Sequence, residues 1–106
     1  MGQDIALQSD GKIVVAGASP NFNTFMIEFA AYRFNADGSR DNSFGTNGVA
    51  RTPVSAANDV AFSLVVQPDG KIVLGGTINF DEAATNSDAA LVRFNANGTL
   101  DTAFGA

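Results

Sequence analysis

The chain has no cysteine, no histidine and no tryptophan among its 106 residues. Without cysteine there can be no disulfide and no thiolate metal site. Without histidine the commonest general base and the commonest transition-metal ligand are missing. Catalysis would have to rest on carboxylates, hydroxyls or a bound cation. Charge is sparse, at 16%, and its balance is acidic, with a formal net charge of −5. The six basic residues are scattered singly along the chain, whereas nucleic-acid recognition needs clustered Lys and Arg. No nucleic acid partner is expected, and no anionic membrane surface. No apolar run approaches the length of a membrane-spanning helix, so no membrane insertion is expected. The start, Met1-Gly2-Gln3-Asp4, lacks the basic and apolar blocks of a signal peptide, so an export signal would lie outside this chain.

Hydrophobic residues make up 45%, which is ordinary for a globular protein and too high for a disordered one. The length suits one compact domain rather than two independent ones. Nine of the ten aromatics are Phe, an apolar mass without a polar handle, which suits core packing better than ligand recognition.

Above all, the sequence is one unit written almost twice. Gln8-Ser9-Asp10-Gly11-Lys12-Ile13-Val14-Val15-Ala16-Gly17 matches Gln67-Pro68-Asp69-Gly70-Lys71-Ile72-Val73-Leu74-Gly75-Gly76 at seven of ten positions. Arg33-Phe34-Asn35-Ala36-Asp37-Gly38 matches Arg93-Phe94-Asn95-Ala96-Asn97-Gly98, and the match runs on through Asp41 with Asp101 and Phe44-Gly45 with Phe104-Gly105. The offset is 59 residues in the first block (Asp10 to Asp69) and 60 in the second (Arg33 to Arg93). Two matched blocks in the same order at nearly the same spacing mark a tandem repeat.

Each unit reads as β-strands. Ile5–Gln8 and Lys12–Gly17 flank Ser9-Asp10-Gly11, and Val60–Gln67 and Lys71–Thr77 flank Pro68-Asp69-Gly70. Asp-Gly between apolar runs signals a hairpin, because glycine accepts the positive φ of a tight turn. Third runs follow at Met26–Phe34 and Ala89–Phe94, and a further run at Gly48–Pro53 leads into the second copy. Ile13-Val14-Val15-Ala16 and Ile72-Val73-Leu74 are apolar on both faces, as in strands buried within a stack of sheets. The fold class expected is therefore all-β: two tandem four-stranded antiparallel repeats arranged as β-propeller blades. Residues 1–47 form the first repeat, an incomplete blade of three strands, and residues 48–106 form a full second blade beginning with Gly48–Pro53. A β-sandwich and a β-solenoid are the rival architectures.

At these residues the chain resembles the delta-60 repeat family of large bacterial surface and secreted proteins. Leu7–Gly17 is similar to its first motif, Leu-Gln-x-Asp-Gly-Lys-Ile-x-Val-x-Gly, and Val66–Gly76 follows it with Val66 and Leu74 in place of Leu7 and Val15. Arg33–Gly48 is similar to its second motif, and Arg93–Gly105 is similar to that motif as far as its Phe-Gly, stopping before the final glycine. The resemblance implies a propeller-like fold in tandem arrays, an extracellular or cell-surface setting, and no assigned enzymatic activity.

Several positions invite a functional reading. The turn Asn35–Asp41 partly resembles the calcium loop of integrin-type propellers, which carries Asp at its first, third, fifth and ninth positions. Aligned on Gly38, the first of these is Arg33, and Asn97 replaces Asp37 in the second copy. Calcium needs convergent oxygens with negative charge, so an Asx-type turn is the better reading. The pairs Arg33 with Asp41 and Arg93 with Asp101 recur at one separation and read as structural latches. Phe44 and Phe104 read as plugs between neighbouring sheets.

Function is better sought where the copies differ. Ala18–Phe25, with Phe22, Asn23 and Phe25, could face a carbohydrate; Ile78–Asp88, with Asp81, Glu82, Asn86 and Asp88, could hold a cation or sugar. The leading expectation is a non-catalytic structural or interaction module with no cofactor. Its partners are further copies of itself or neighbouring blades of a longer chain. The alternative is a carbohydrate- or calcium-binding module built on the divergent loops.

Overall fold

The computed structural model describes residues 2–21, 23, 25–54, 58–78 and 88–104. The described residues form seven strands: β1 (Gly2–Leu7), β2 (Ile13–Asn21), β3 (Met26–Phe34), β4 (Val49–Thr52), β5 (Val60–Val66), β6 (Ile72–Ile78) and β7 (Asp88–Phe94). They make two antiparallel meanders, a four-stranded sheet in the order β1-β2-β3-β4 and a three-stranded sheet in the order β5-β6-β7. The all-β, two-sheet repeat read from the sequence is what the chain adopts.

The repeated hairpins obey their turn chemistry closely. Gln8 N donates to Lys12 O at 2.8 Å and Gln67 N to Lys71 O at 2.8 Å. Gly11 and Gly70 both sit at φ 88°, the left-handed conformation that an L side chain resists. Asp10 and Asp69 each accept the Lys N–H two residues on, at 3.0 Å, which closes an Asx turn. Both first strands also bulge at one place, between Gly2 and Asp4 and between Ala61 and Ser63, so even an irregularity of the pairing recurs.

Two expectations need correction. Val49–Thr52 pairs with β3 (Tyr32 opposite Val49, Phe29 opposite Thr52) and so belongs to the first sheet, not the second. The blade expected to be incomplete has four strands among the described residues, and the blade expected to be full has three. The cause is the connection that follows β3. It turns back through Gly45 (φ 55°), Asn47 (φ 54°) and Gly48 (φ 86°), and a strand emerging there lies antiparallel to the one just left. The segment after β4 then crosses to the second sheet. It is held to the start of β3 by Asn58 Oδ1, which accepts from Ile27 N at 2.9 Å, and by Asp59 N, which donates to Ile27 O at 3.0 Å.

The second correction concerns β2, which runs on to Asn21 through Ala18–Pro20, read from sequence as loop. Pro20 is tolerated because it lies beyond the end of β1, where β2 is an edge.

The sheets stack through unlike faces. Ala6, Val14, Ala16, Phe29, Ala31 and Ala50 share one face of the first sheet by register. They join a single core with Ala61, Leu64, Ile72, Leu74 and Phe94 from one face of the second. Ile72 corresponds to Ile13 in the repeat, and Leu74 to Val15, which lie on the opposite face of the first sheet. The second sheet therefore repeats the first by stacking in one direction, as successive propeller blades do.

Candidate functional site

The chemistry of the chain concentrates in a cluster that occurs twice. In the first sheet, Arg33 reaches out from β3 and Lys12 from the β1–β2 hairpin. Both converge on Asp41 in the loop that follows β3. Arg33 Nε lies 2.8 Å and Lys12 Nζ 3.1 Å from Asp41 Oδ2. The other carboxylate oxygen accepts from the Ser43 hydroxyl and from Ser43 N, the latter at 3.1 Å. Lys12 Nζ also donates to Asn35 Oδ1 at 2.8 Å, tying the hairpin to the turn. The guanidinium lies over the Phe44 ring, 4.4 Å from its centroid, and that ring is fully buried.

In the second sheet Arg93 Nε and Lys71 Nζ both lie 2.9 Å from Asp101 Oδ2. Ala103 N donates to Asp101 Oδ1 at 3.1 Å, and Arg93 sits 4.6 Å from the Phe104 centroid.

These neighbours fix the carboxylates as anions. The Ser43 hydrogen bond, followed by Lys12 and Arg33, holds Asp41 far below the usual carboxylate range against the opposing effect of burial. Lys71 first, then Arg93, push Asp101 down to about 2, again against burial. Neither group is poised to exchange protons near neutral pH, so neither suits acid–base catalysis. What the cluster can do is hold backbone segments together.

The first cluster does this across the two sheets. Arg33 Nη1 donates to Ala96 O, in the turn after β7, at 2.7 Å. One residue on, Asn97 O accepts from Gly45 N at 2.8 Å. The approach is so close that a Cβ on Gly98 would lie 2.4 Å from the Gly45 nitrogen. In the second cluster, Arg93 Nη1 has Gln67 Oε1 of its own hairpin at 3.4 Å instead.

The sequence pairs Arg33–Asp41 and Arg93–Asp101 are thus brought together. Lys12 and Lys71 were missed as third members. Both lie in the identical Asp-Gly-Lys blocks, where the sequence marks them only as the first residues of strand runs. The Ala96 carbonyl had no signal, because a backbone acceptor is invisible to side-chain motifs.

The other candidate positions do not converge. The turn at Asn35–Ser39 is an Asx turn: Asp37 Oδ1 accepts from Ser39 N at 2.9 Å and from its hydroxyl at 2.6 Å, and these bonds lower the Asp37 pKa. Asn23 N donates to Asn21 Oδ1 at 2.9 Å, while the Phe25 side chain stands exposed at φ 59°. Asp88 opens β7 opposite Ile78 and accepts from Ala89 N at 2.8 Å, an exposed local bond. Phe22, Asp81, Glu82 and Asn86 lie outside the described residues. Among the described residues no three acidic side chains gather as a metal site would require.

No curated protein matches the chain. A family model described as a domain of unknown function, DUF5122 beta-propeller, matches residues 8–44 and 67–104, together more than half of the chain. Each matched segment runs from the Asp-Gly hairpin turn to the latch loop, so it takes in Lys12, Arg33, Asp41 and Phe44, then Lys71, Arg93, Asp101 and Phe104. The chain therefore belongs to the DUF5122 β-propeller family.

Proposed function

We propose that the chain is a non-catalytic propeller-blade module whose role is structural, supplying latched blades to a closed array completed by other copies of itself or by neighbouring blades of a longer chain. One observation carries this reading. Both end faces of the two-sheet stack are apolar and open, with Ile5 and Leu7 exposed at one end and Val65 and Leu91 at the other. Propellers close at about four to eight blades, and two sheets alone leave such faces to be covered by association. The repeated polar clusters support a role in assembly, because their carboxylates are tied up in ion pairs. The likeness of Leu7–Gly17 and Arg33–Gly48 to delta-60 repeats supports an extracellular setting on an exported bacterial protein.

Light scattering on a sizing column at two concentrations tests the reading. A single mass at a whole multiple of the chain, unchanged on dilution, is expected. A monomer at both concentrations would remove self-closure. A second reading, carbohydrate binding, draws on Phe25, whose ring is held in solvent beside the Asn21–Asn23 turn. A glycan array with no hits for the wild type would sink it.

A further inference from the structure

Each face buried at the junction of the two sheets has an open counterpart at one end of the stack. Ile5 of the first sheet corresponds in the repeat to Leu64 of the second. Leu64 is 8% exposed, packed under the first sheet, whereas Ile5 is 67% exposed. At the other end, Ala31 is fully buried and its counterpart Leu91 is 63% exposed. The open face of the first sheet is the kind that inserts, and the open face of the second is the kind that receives.

The polar latch is incomplete in the same sense. Arg33 Nη1 has the Ala96 carbonyl at 2.7 Å, but Arg93 Nη1 has only a 3.4 Å contact to Gln67. The turn that would serve Arg93 exists elsewhere in the chain. Asn35 N donates to Ser39 O at 2.7 Å, as Asn95 N does to Thr99 O, and Gly38 N donates to Asn35 O at 2.9 Å, as Gly98 N does to Asn95 O. Yet a Cβ at Gly38 would meet nothing within 4 Å, where one at Gly98 would collide with Gly45. The turn at Asn35–Ser39 is a preformed insert standing free, and Arg93 is a receptor without an insert.

We propose that a second copy of this chain docks head to tail, setting the open face of its first sheet on the open second sheet, with its Ala36 carbonyl accepting from Arg93. The inference rests on the self-association reading and adds its geometry, a heterologous contact that repeats the junction inside the chain. The occupant is another copy because insert and receptor are both written in this sequence, residue for residue. Charge favours it as well. Asp37 stands in the inserted turn where Asn97 stands at the internal junction, so docking carries a carboxylate towards the Lys71 and Arg93 cluster.

The test is complementation, read by light scattering. Leu7→Glu disables the inserting face and Leu91→Glu the receiving face; both side chains are exposed in the single chain, so circular dichroism should show unchanged folding. Each variant alone is expected to be monomeric where the wild type is assembled. Their equimolar mixture is expected to form a dimer and nothing larger, because one intact pair of faces survives. Gly38→Asn, with the side chain that best tolerates a positive φ, should lower the unfolding midpoint of the dilute monomer only slightly yet weaken assembly by about tenfold or more, as loss of a charged hydrogen bond would. Arg93→Lys, which keeps a cation for Asp101, should weaken assembly in the same way.

An assembled wild type whose two face variants fail to complement would overturn the head-to-tail geometry and leave self-association standing. A wild type that stays monomeric would overturn both. If two chains fused in tandem then protect the Leu91 face from hydrogen exchange, the faces belong to repeats of one chain and the second copy is refuted as occupant.

Discussion

Asp41→Asn is the most informative single change. Asp41 lies in a side-chain environment only 6% exposed, with two cations on one oxygen at 2.8 and 3.1 Å and two Ser43 donors on the other. Asparagine can keep the Ser43 contacts through its carbonyl, but it turns an uncharged amide towards Arg33 and Lys12. Arg33 then remains buried without a counter-charge, and removing one partner of a buried pair typically costs about 3–5 kcal/mol. Lys12 keeps access to water, its side chain being 31% exposed, which places the loss near the lower end, about 3 kcal/mol. For a domain of this size that is a fall in melting temperature of roughly 12–24 °C.

Urea unfolding of the dilute monomer measures the loss, with an unchanged m-value as the sign that only the native state was altered. Asp101→Asn is the internal control. Its cluster has the same two cations and the same phenylalanine, with Ala103 where Ser43 stands, but Arg93 is 22% exposed against 10% for Arg33, because no turn from another sheet covers it. Water screens the exposed pair, so the second loss should be clearly smaller. If Asp101→Asn costs as much as Asp41→Asn, burial under the neighbouring sheet is not what gives the latch its strength, and the reasoning fails. In a cycle with Lys12→Met, the double variant should lose less than the sum of the single changes, because the substitution removes one of the stranded cations.

Acid should dismantle the latches at a predictable place. Folding lowers the pKa of Asp41 and Asp101, so the stability they contribute is present above the ordinary carboxylate range and lost as pH falls through their folded values. Urea midpoints should be flat from pH 7 to about 5 and fall steeply from about pH 4 to 2, with the dependence much reduced in the Asp41→Asn/Asp101→Asn variant; a profile unchanged in that variant would mean that other carboxylates govern it. The matched glycines give a second comparison. Gly38→Ala should cost about 1–2 kcal/mol for the positive φ alone, and Gly98→Ala clearly more, because its Cβ would strike the Gly45 backbone at 2.4 Å. Equal losses in denaturant titrations of the monomer would show that the turn after β7 does not press on the first sheet.

Much of the fold was legible because the same local signals occur twice. The Asp-Gly hairpins, the apolar second strands and the Arg-to-Asp spacing each mark backbone that the chain must form from nearby residues. Strand β4 was legible as a strand but not as to its sheet. Val49–Thr52 carries no pattern that distinguishes pairing with β3 from pairing with β5. The choice is made by the left-handed residues Gly45, Asn47 and Gly48, which reverse the chain on the near side. The latch was half legible. Opposite charges at a fixed spacing announce a pair, whereas the Arg33 bond to the Ala96 carbonyl depends on a neighbouring sheet 63 residues away in the chain. Register within a sheet leaves its mark as alternation; contact between sheets leaves almost none.

The direction of stacking nevertheless follows from side-chain size. Beside Val14 and Phe29, one face of the first sheet is floored by Ala6, Ala16, Ala31 and Ala50, and the face set on it carries Leu64, Ile72, Leu74 and Phe94. Large side chains meeting a floor of small ones fill the space between sheets at ordinary density. Two small-residue faces set together would leave voids, and two large-residue faces would hold the backbones apart and keep Arg33 from the Ala96 carbonyl. The second sheet keeps the same division in altered form. Gly75 and Leu91, paired across its open face, stand where Ala16 and Ala31 stand in the first sheet, and Leu91 Cδ2 lies 3.2 Å from where a Gly75 Cβ would be. The side chain of Leu91 folds over the space that glycine leaves, so volume is moved across the pair. A face built in this way keeps room for an incoming sheet of large residues, and the only such face left open in the described chain is that of Ile5, Leu7, Ile13 and Val15.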